Sequence, residues 1–282
     1  LVRLPHGRQA VRGAAERKRR EQETMKIIDL SVSIVDGLPV DRPVQIPKIR
    51  YRRHTDDESV TTFLAAYPGL TREQLIDGHG WAIEQIELST HTGTHVDAPY
   101  HFHPTMNGGE PAWTVDEVPL EWCMGDGVMV DFYDKPDGYQ CTSKDFQEYF
   151  DKIGYTPKYG DVLCLRTNAM SAWGTEKYLQ KGCGVGREGT LWLAEQGVHI
   201  VGTDAWSWDP PLSYEAKEFR ETGNREVIWE GHKAGKDCIY FQMEKLGHLD
   251  SLPPFGFKVI ALPINIEKAS AGWVRPVAIF EG

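Results

Sequence analysis

The sequence has no run of apolar residues approaching the roughly 18 that a membrane-spanning helix needs. Residues 1–24 also have no apolar stretch after their basic start, so they lack the pattern of a secretory signal. Hydrophobic residues make up 40% of the chain and charged residues 26%, which is ordinary for a globular protein in water. We therefore predict a cytoplasmic protein with no membrane partner.

Several common catalytic and binding motifs are missing. The five cysteines are scattered and include no C-x-x-C pair, which argues against a zinc ribbon and a redox dithiol. H-E-x-x-H, G-x-x-x-x-G-K-[ST] and G-x-S-x-G do not occur, which argues against a zincin protease, a P-loop nucleotide site and a nucleophile-elbow hydrolase. Any catalytic chemistry must use another arrangement.

The charge is divided unevenly along the chain. The net charge is −10, but residues 1–24 hold seven Lys/Arg and three Glu, so the remainder carries −14. A body this acidic is not expected to bind nucleic acid through a broad basic face. The basic start could be an arm for nucleic acid or for an acidic partner. We favour a disordered tail, or an extension upstream of a natural start at Met25, and assign residues 25–282 to one domain.

Short strand patterns outnumber helix patterns after Met25. Strands are predicted at 26–34, 81–89, 127–132, 161–166, 199–202, 258–262 and 276–280. Helices are predicted at 143–153, with Ser143 as N-cap, and at 188–196, ending at Gly197. Many short strands with few helices between them predict a single α/β domain with a mixed sheet, not a doubly wound parallel sheet.

Metal-ligand chemistry is concentrated in one segment. His91, His95, Asp97 and His101 lie within eleven residues, immediately after the predicted strand 81–89. Imidazole nitrogens and carboxylate oxygens are the ligands preferred by zinc, manganese and iron. Gly93, Pro99 and the β-branched residues between them disfavour a helix, so we expect a loop or irregular turn. Two histidines and a carboxylate leave coordination positions open, as in catalytic sites.

The segment His91–Phe102, H-x-G-T-H-x-D-x-P-x-H-F, resembles the signature of the cyclase-like metal hydrolases, which include kynurenine formamidases and isatin hydrolases. The resemblance extends over most of the chain after Met25, from residues 29–31 through 192–204 to 255–279. It implies a swivelling β/β/α fold and a homo-oligomer, either a dimer or a tetramer.

The resemblance also implies roles for individual residues. His91, His95 and Asp97 match the family's metal ligands, and His101 matches its catalytic acid–base. His232 and Glu244 match a second ligand pair, so the site would hold one or two ions, zinc or manganese. Asp204 and Ser207 match a family motif near the pocket. Trp81, Trp206 and Trp208 lie in or beside loop-like segments and are further candidates for the pocket lining.

These features together predict a hydrolase that cleaves an amide-type C–N bond in a small molecule, either an arylformamide or a cyclic amide such as a lactam. A divalent ion lowers the pKa of bound water to about 7, and His101 would move the proton. Two alternatives stay open at this point. One is a lyase or cyclase that uses the same metal site, and the other is a binding protein that has lost turnover.

Overall fold

The computed structural model describes residues 25–280, so the predictions about residues 1–24 lie outside the described residues. The strands are β1 (Lys26–Asp29), β2 (Lys48–Arg52), β3 (Ile83–Glu87), β4 (His95–Asp97), β5 (Thr105–Met106), β6 (Glu110–Pro111), β7 (Met124–Asp131), β8 (Gln140–Cys141), β9 (Val162–Arg166), β10 (Gly184–Val185), β11 (Ile200–Thr203), β12 (Phe241–Glu244), β13 (Phe257–Ile260), β14 (Ala271–Trp273) and β15 (Val277–Phe280). The α-helices are α1 (Asp57–Ala66), α2 (Pro99–Phe102), α3 (Ser143–Ile153), α4 (Arg187–Glu195), α5 (Leu212–Thr222) and α6 (Glu230–Lys233).

One nine-stranded mixed sheet organises this part of the chain, in the order β1-β15-β13-β7-β9-β11-β12-β4-β14. The four central strands β7, β9, β11 and β12 run parallel, and the strands on both sides of them pair antiparallel. Separate two-stranded sheets pair β2 with β3, β5 with β6 and β8 with β10. The mixed sheet agrees with the predicted α/β fold class.

Both faces of the central strands are buried. Side chains alternate across a strand, so Val162 and Cys164 of β9 belong to one hydrophobic cluster, while Leu163 and Leu165 belong to another. The second cluster includes Phe146 of α3 and Leu193 of α4, which pack against that face. Burial on both faces explains why β9 is an almost continuous apolar run.

The two predicted helices form within one residue of their predicted bounds. Helix α3 begins at Ser143, but its N-cap is Thr142, because the Thr142 hydroxyl accepts from the Asp145 N–H and Asp145 bonds back to the Thr142 N–H. The Ser143 N-cap prediction was therefore wrong by one position. Helix α4 is followed by Gly197 with a φ of +85°. No helix among residues 25–280 is long and apolar enough to cross a membrane.

Two local expectations were wrong. The expected loop at 91–101 contains strand β4, followed by the short helix α2, because β4 pairs with both β12 and β14 and tertiary pairing overrides the weak local preference. The strand predicted at 81–89 forms over Ile83–Glu87, but its alternating pattern predicted a half-buried strand, whereas all five residues are exposed, since β3 pairs with β2 outside the main sheet.

Candidate metal centre and cavity

Four polar side chains are grouped on one face of the sheet by strand register. In β4, His95 and Asp97 are two residues apart and therefore point to the same side. In the antiparallel partner β12, Glu244 lies opposite His95 and Gln242 lies opposite Asp97. The intervening Val96 and Met243 face the hydrophobic core. The sheet therefore brings together residues separated by almost 150 positions in the sequence.

Asp97 lies at the centre of the cluster. One Asp97 oxygen, Oδ1, is 2.8 Å from His91 Nδ1 and 3.1 Å from His95 Nε2. His95 Nε2 is also 3.6 Å from Glu244 Oε2. Ligand atoms of His95, Asp97 and Glu244 all lie within 4.8 Å of one another, as do those of His91, Asp97 and His101. Both groups combine imidazole nitrogen with carboxylate oxygen, the donor set of a divalent transition-metal site.

Neighbouring groups leave the inner imidazole nitrogens free for a ligand role. His95 Nδ1 donates to the Gly93 carbonyl at 2.9 Å, so its Nε2 carries the lone pair that faces the cluster. His91 Nε2 lies 3.1 Å from the Ser270 hydroxyl, and its Nδ1 faces Asp97. His95 Nε2 and Asp97 Oδ1 are buried without a hydrogen-bond partner among the described residues. Such orphaned atoms fit a bound cation.

Gly93 permits this arrangement through its backbone conformation. Its φ is +67°, in the left-handed region that side chains disfavour, and a Cβ there would lie 3.1 Å from Ile34 Cγ1. The turn directs the Gly93 carbonyl to the ring of His95. Gly93 therefore acts by orienting a candidate ligand.

His232 and Gln242 complete the buried part of the cluster. His232, in helix α6, places Nε2 3.8 Å from Asp97 Oδ2 and 3.6 Å from Glu244 Oε1. The Gln242 amide donates to Asp97 Oδ2 at 3.2 Å and to Glu244 Oε1 at 2.9 Å, and lies 2.7 Å from His232 Nε2. Gln242 was missed by the sequence analysis. Its position two residues before Glu244 was the available signal, since both must share a face of a strand.

Burial and like charge make the cluster costly without a cation. Burial, followed by the negative charge of Asp97, raises the pKa of Glu244 well above its ordinary value. A divalent cation between the carboxylates would offset both effects. The donor types, the orphaned atoms and the carboxylate repulsion all fit a bound metal ion.

His101 lies between the buried cluster and the cavity. Helix α2 presents its ring with Nε2 4.0 Å from Asp97 Oδ2, and the side chain is 25% exposed. The ring of Trp229 stands perpendicular to it at 5.1 Å. Burial lowers the pKa of His101 to about 3, although Asp97 opposes the shift. The imidazole is therefore neutral at neutral pH, and its free lone pair is available on the cavity side.

A cavity of about 550 Å³ opens onto the cluster. Its lining includes His91, His101, His232 and Glu244, and its walls include Trp206, Ser207, Trp229 and Arg42. Its volume is that of a small-molecule site. The cluster therefore borders a cavity of small-molecule size.

Three of the five predicted pocket residues lie elsewhere. Trp208 is fully buried and donates its indole N–H to Thr190. Asp204 is buried too, and its Oδ1 accepts from the Thr167 N–H at 2.8 Å and the Thr167 hydroxyl at 2.7 Å. Trp81 packs edge-on against Phe63 of α1 at 4.9 Å. Trp206 and Ser207 are the two that line the cavity.

Fold and site together define a mixed-sheet α/β protein with a buried imidazole–carboxylate centre beside a small-molecule cavity. Residues 28–210 match the protein family described as putative cyclase, and the chain belongs to this family. The kynurenine formamidase of Salinibacter ruber is 26% identical over 256 residues, which cover 90% of this chain and 97% of that protein.

Solved structures extend the likeness in fold. An isatin hydrolase bound to the product analogue thioisatinate aligns with a TM-score of 0.71 and 16% identity, over 99% of this chain and 100% of that one. Isatin hydrolase A from Ralstonia solanacearum aligns with a TM-score of 0.70 and 22% identity, over 100% of both chains. The predicted family and fold class are confirmed.

Proposed function

We propose that this chain is a metal-dependent hydrolase that cleaves an amide-type C–N bond outside peptides, in an arylformamide or a cyclic amide. The observation that carries the proposal is the meeting of His91, His95 and Asp97 with Glu244 beside a small-molecule cavity. The family relationship supports it, since the similar proteins include a kynurenine formamidase and isatin hydrolases.

The metal ligands would be His91, His95 and Asp97, with His232 and Glu244 available to hold a second ion. The two orphaned atoms within the cluster, His95 Nε2 and Asp97 Oδ1, belong to this set. When bound there, a zinc or manganese ion supplies Lewis acidity, which acidifies water and polarises a carbonyl oxygen. Gln242 holds the two carboxylates in place by donating to both.

His101 is the proton carrier in this proposal. Its neutral imidazole faces the cavity and accepts the proton that the attacking water loses. As the C–N bond breaks, the same ring returns that proton to the departing nitrogen, which leaves as an amine. The acyl part becomes a carboxylic acid, which in a cyclic amide stays joined to the amine in one ring-opened product. Trp229, edge-on to His101 and stacked on His232 at 4.1 Å, fixes the ring positions.

The partners we propose are a small-molecule substrate and further copies of the same chain. Tyr51 and Ile86 are exposed and lie on the same face of the two-stranded β2–β3 sheet, which supports a homo-oligomer because grouped exposed apolar side chains mark contact surfaces. The absence of nucleic acid and membrane partners and the cytoplasmic location stay predictions from the sequence.

The function is tested with purified protein that has been stripped of metal and reloaded with zinc or manganese. N-Formylkynurenine, formanilide and isatin are supplied, and products are identified by mass spectrometry. We expect hydrolysis of at least one, lost with chelator and restored by metal. Absence of turnover on all amides would contradict the proposal, and an elimination or cyclisation product would favour the lyase alternative.

A further inference from the structure

One wall of the cavity is a strap, residues 40–47, that is tied to the metal-site segment. Asp41 Oδ1 lies 2.6 Å from Lys245 Nζ, and both side chains are 1% exposed. Lys245 Nζ also donates to the His91 carbonyl at 2.7 Å. At the other end, the Thr92 hydroxyl donates to the Gln45 carbonyl at 2.7 Å. The strap is therefore held at a fixed position relative to the cluster.

Arg42 projects from this strap as a cation without a carboxylate partner among residues 25–280. It lines the cavity, its guanidinium lies 5.2 Å from the centre of the Trp206 ring, and no described carboxylate is within ion-pair distance. Trp206 is itself fixed, because its indole N–H donates to Asp41 at 2.9 Å. The other cation on this cavity, Lys245, is neutralised by Asp41. A guanidinium stacked on an indole is well placed to pair with a carboxylate.

Gln45 adds an acceptor to the same wall. Its Oε1 is buried and has no donor among residues 25–280, although the side chain lines the cavity. A buried amide oxygen of this kind calls for an N–H or O–H partner. The Gln45 N–H donates to the Arg42 carbonyl at 2.8 Å, so a turn holds these two cavity-lining residues next to each other on the strap.

We propose that Arg42 and Gln45 form a subsite that binds a carboxylate and an adjacent N–H group of the substrate. The inference rests on the proposed function and deepens it. With the scissile amide at the cluster, a substrate within the 550 Å³ cavity presents its carboxylate to Arg42. The preferred substrates are therefore arylamides that carry an amino-acid-like group, and neutral cyclic amides bind without using this subsite.

The test compares N-formylkynurenine with 2-formamidoacetophenone, which has the same arylformamide without the amino-acid group. Arg42→Met should raise KM for the first at least tenfold and leave the second within about twofold. The KM of Arg42→Lys for N-formylkynurenine should lie between the values for wild type and Arg42→Met. Arg53→Met is the matched control, because Arg53 is an exposed arginine outside this cavity. Equal effects of Arg42→Met on both substrates, or none, would overturn the subsite.

Measurements of ligand affinity test this subsite independently of the proposed hydrolase activity. Affinities of L-kynurenine and 2-aminoacetophenone are measured by calorimetry, independently of turnover. Wild-type protein should prefer L-kynurenine, and Arg42→Met should abolish the preference, even if neither formamide is hydrolysed. Wild-type protein without that preference would refute the subsite, and preference without any amide hydrolysis would refute only the hydrolase.

Discussion

Asp209 holds His232 by three hydrogen bonds from the same short stretch of chain. One Asp209 oxygen accepts from the Gly231 N–H at 2.6 Å, and the other accepts from the His232 N–H at 3.0 Å and from its ring Nδ1. Both residues are buried. The contact fixes the tautomer of His232, so that Nε2 carries the lone pair that faces Asp97 and Glu244.

We predict that Asp209→Asn lowers metal affinity about 10- to 100-fold, because loss of a carboxylate partner reorients a ligating imidazole and reduces its basicity. Metal competition against a chelating dye measures the effect. Asp161→Asn is the matched control, since Asp161 is equally buried but contacts Tyr155 and Lys158 outside the cavity. Unchanged affinity in Asp209→Asn would remove His232 from the metal site.

Replacement of His101 by alanine should separate catalysis from metal binding. We expect kcat to fall by about 10²–10⁴ because the proton carrier is lost, while metal affinity stays within about threefold. Single-turnover rates and metal titration on the same preparation check both. Full activity in His101→Ala with normal metal content would show that another group moves the proton.

Asp204 should make stability depend on pH without taking part in catalysis. Burial raises its pKa to about 7, against an ordinary value of 3.8, although Thr167 partly opposes the shift. The folded state therefore holds a proton that the unfolded chain releases above about pH 4. This contribution to stability is complete below pH 3.8 and is lost as pH rises through 7.

Asp204→Asn removes that loss while keeping an oxygen that can accept from Thr167. We expect the variant to be more stable than wild type at pH 8, by about 1–4 kcal/mol, and to lose the advantage near pH 4. Urea unfolding across this range measures it. An advantage that is constant with pH would contradict the assignment, and kcat should not change.

Gly93 and Gly154 have the same φ, and substitutions at the two positions together test the role of the turn at Gly93, which precedes His95. Gly93 and Gly154 both have a φ of +67°, but only at Gly93 does an added Cβ meet another side chain, Ile34 at 3.1 Å. Gly154→Ala should cost about 1–2 kcal/mol from left-handed strain alone. Gly93→Ala should lower the free energy of unfolding by more than this and should also weaken metal binding. Thermal unfolding and metal titration compare them, and equal effects would remove the proposed role of Gly93.

The local pattern was enough to predict helices α3 and α4 and buried strands such as β9, but it missed helices α1 and α5 and the way strands meet. Leu163 and Leu165 belong to an apolar run that predicts β9 without tertiary information. Strand β4 has three residues and a weak pattern, so its existence depends on pairing with β12 and β14. For the same reason Asp209 and Gln242 were missed, because their roles arise from contacts across the fold.

Which residues lie together in the cluster was predicted better than which residues line the cavity. His91, His95 and Asp97 lie close in sequence, and His232 and Glu244 were proposed from the resemblance alone. The structure brings all five together. The segment 204–208 was less informative, since Trp206 faces the cavity and Trp208 the core, and only packing distinguishes them.

The central claim is that hydrolysis depends on metal held by this imidazole–carboxylate cluster. Its most direct test is the rate of arylformamide or lactam hydrolysis as zinc or manganese is added stepwise to metal-free protein, with Asp97→Ala measured in parallel. We predict that the rate rises from near zero, saturates at one or two ions per chain, and stays near zero in Asp97→Ala. Full activity in metal-free protein, or equal metal-dependent activity in Asp97→Ala, would contradict the account.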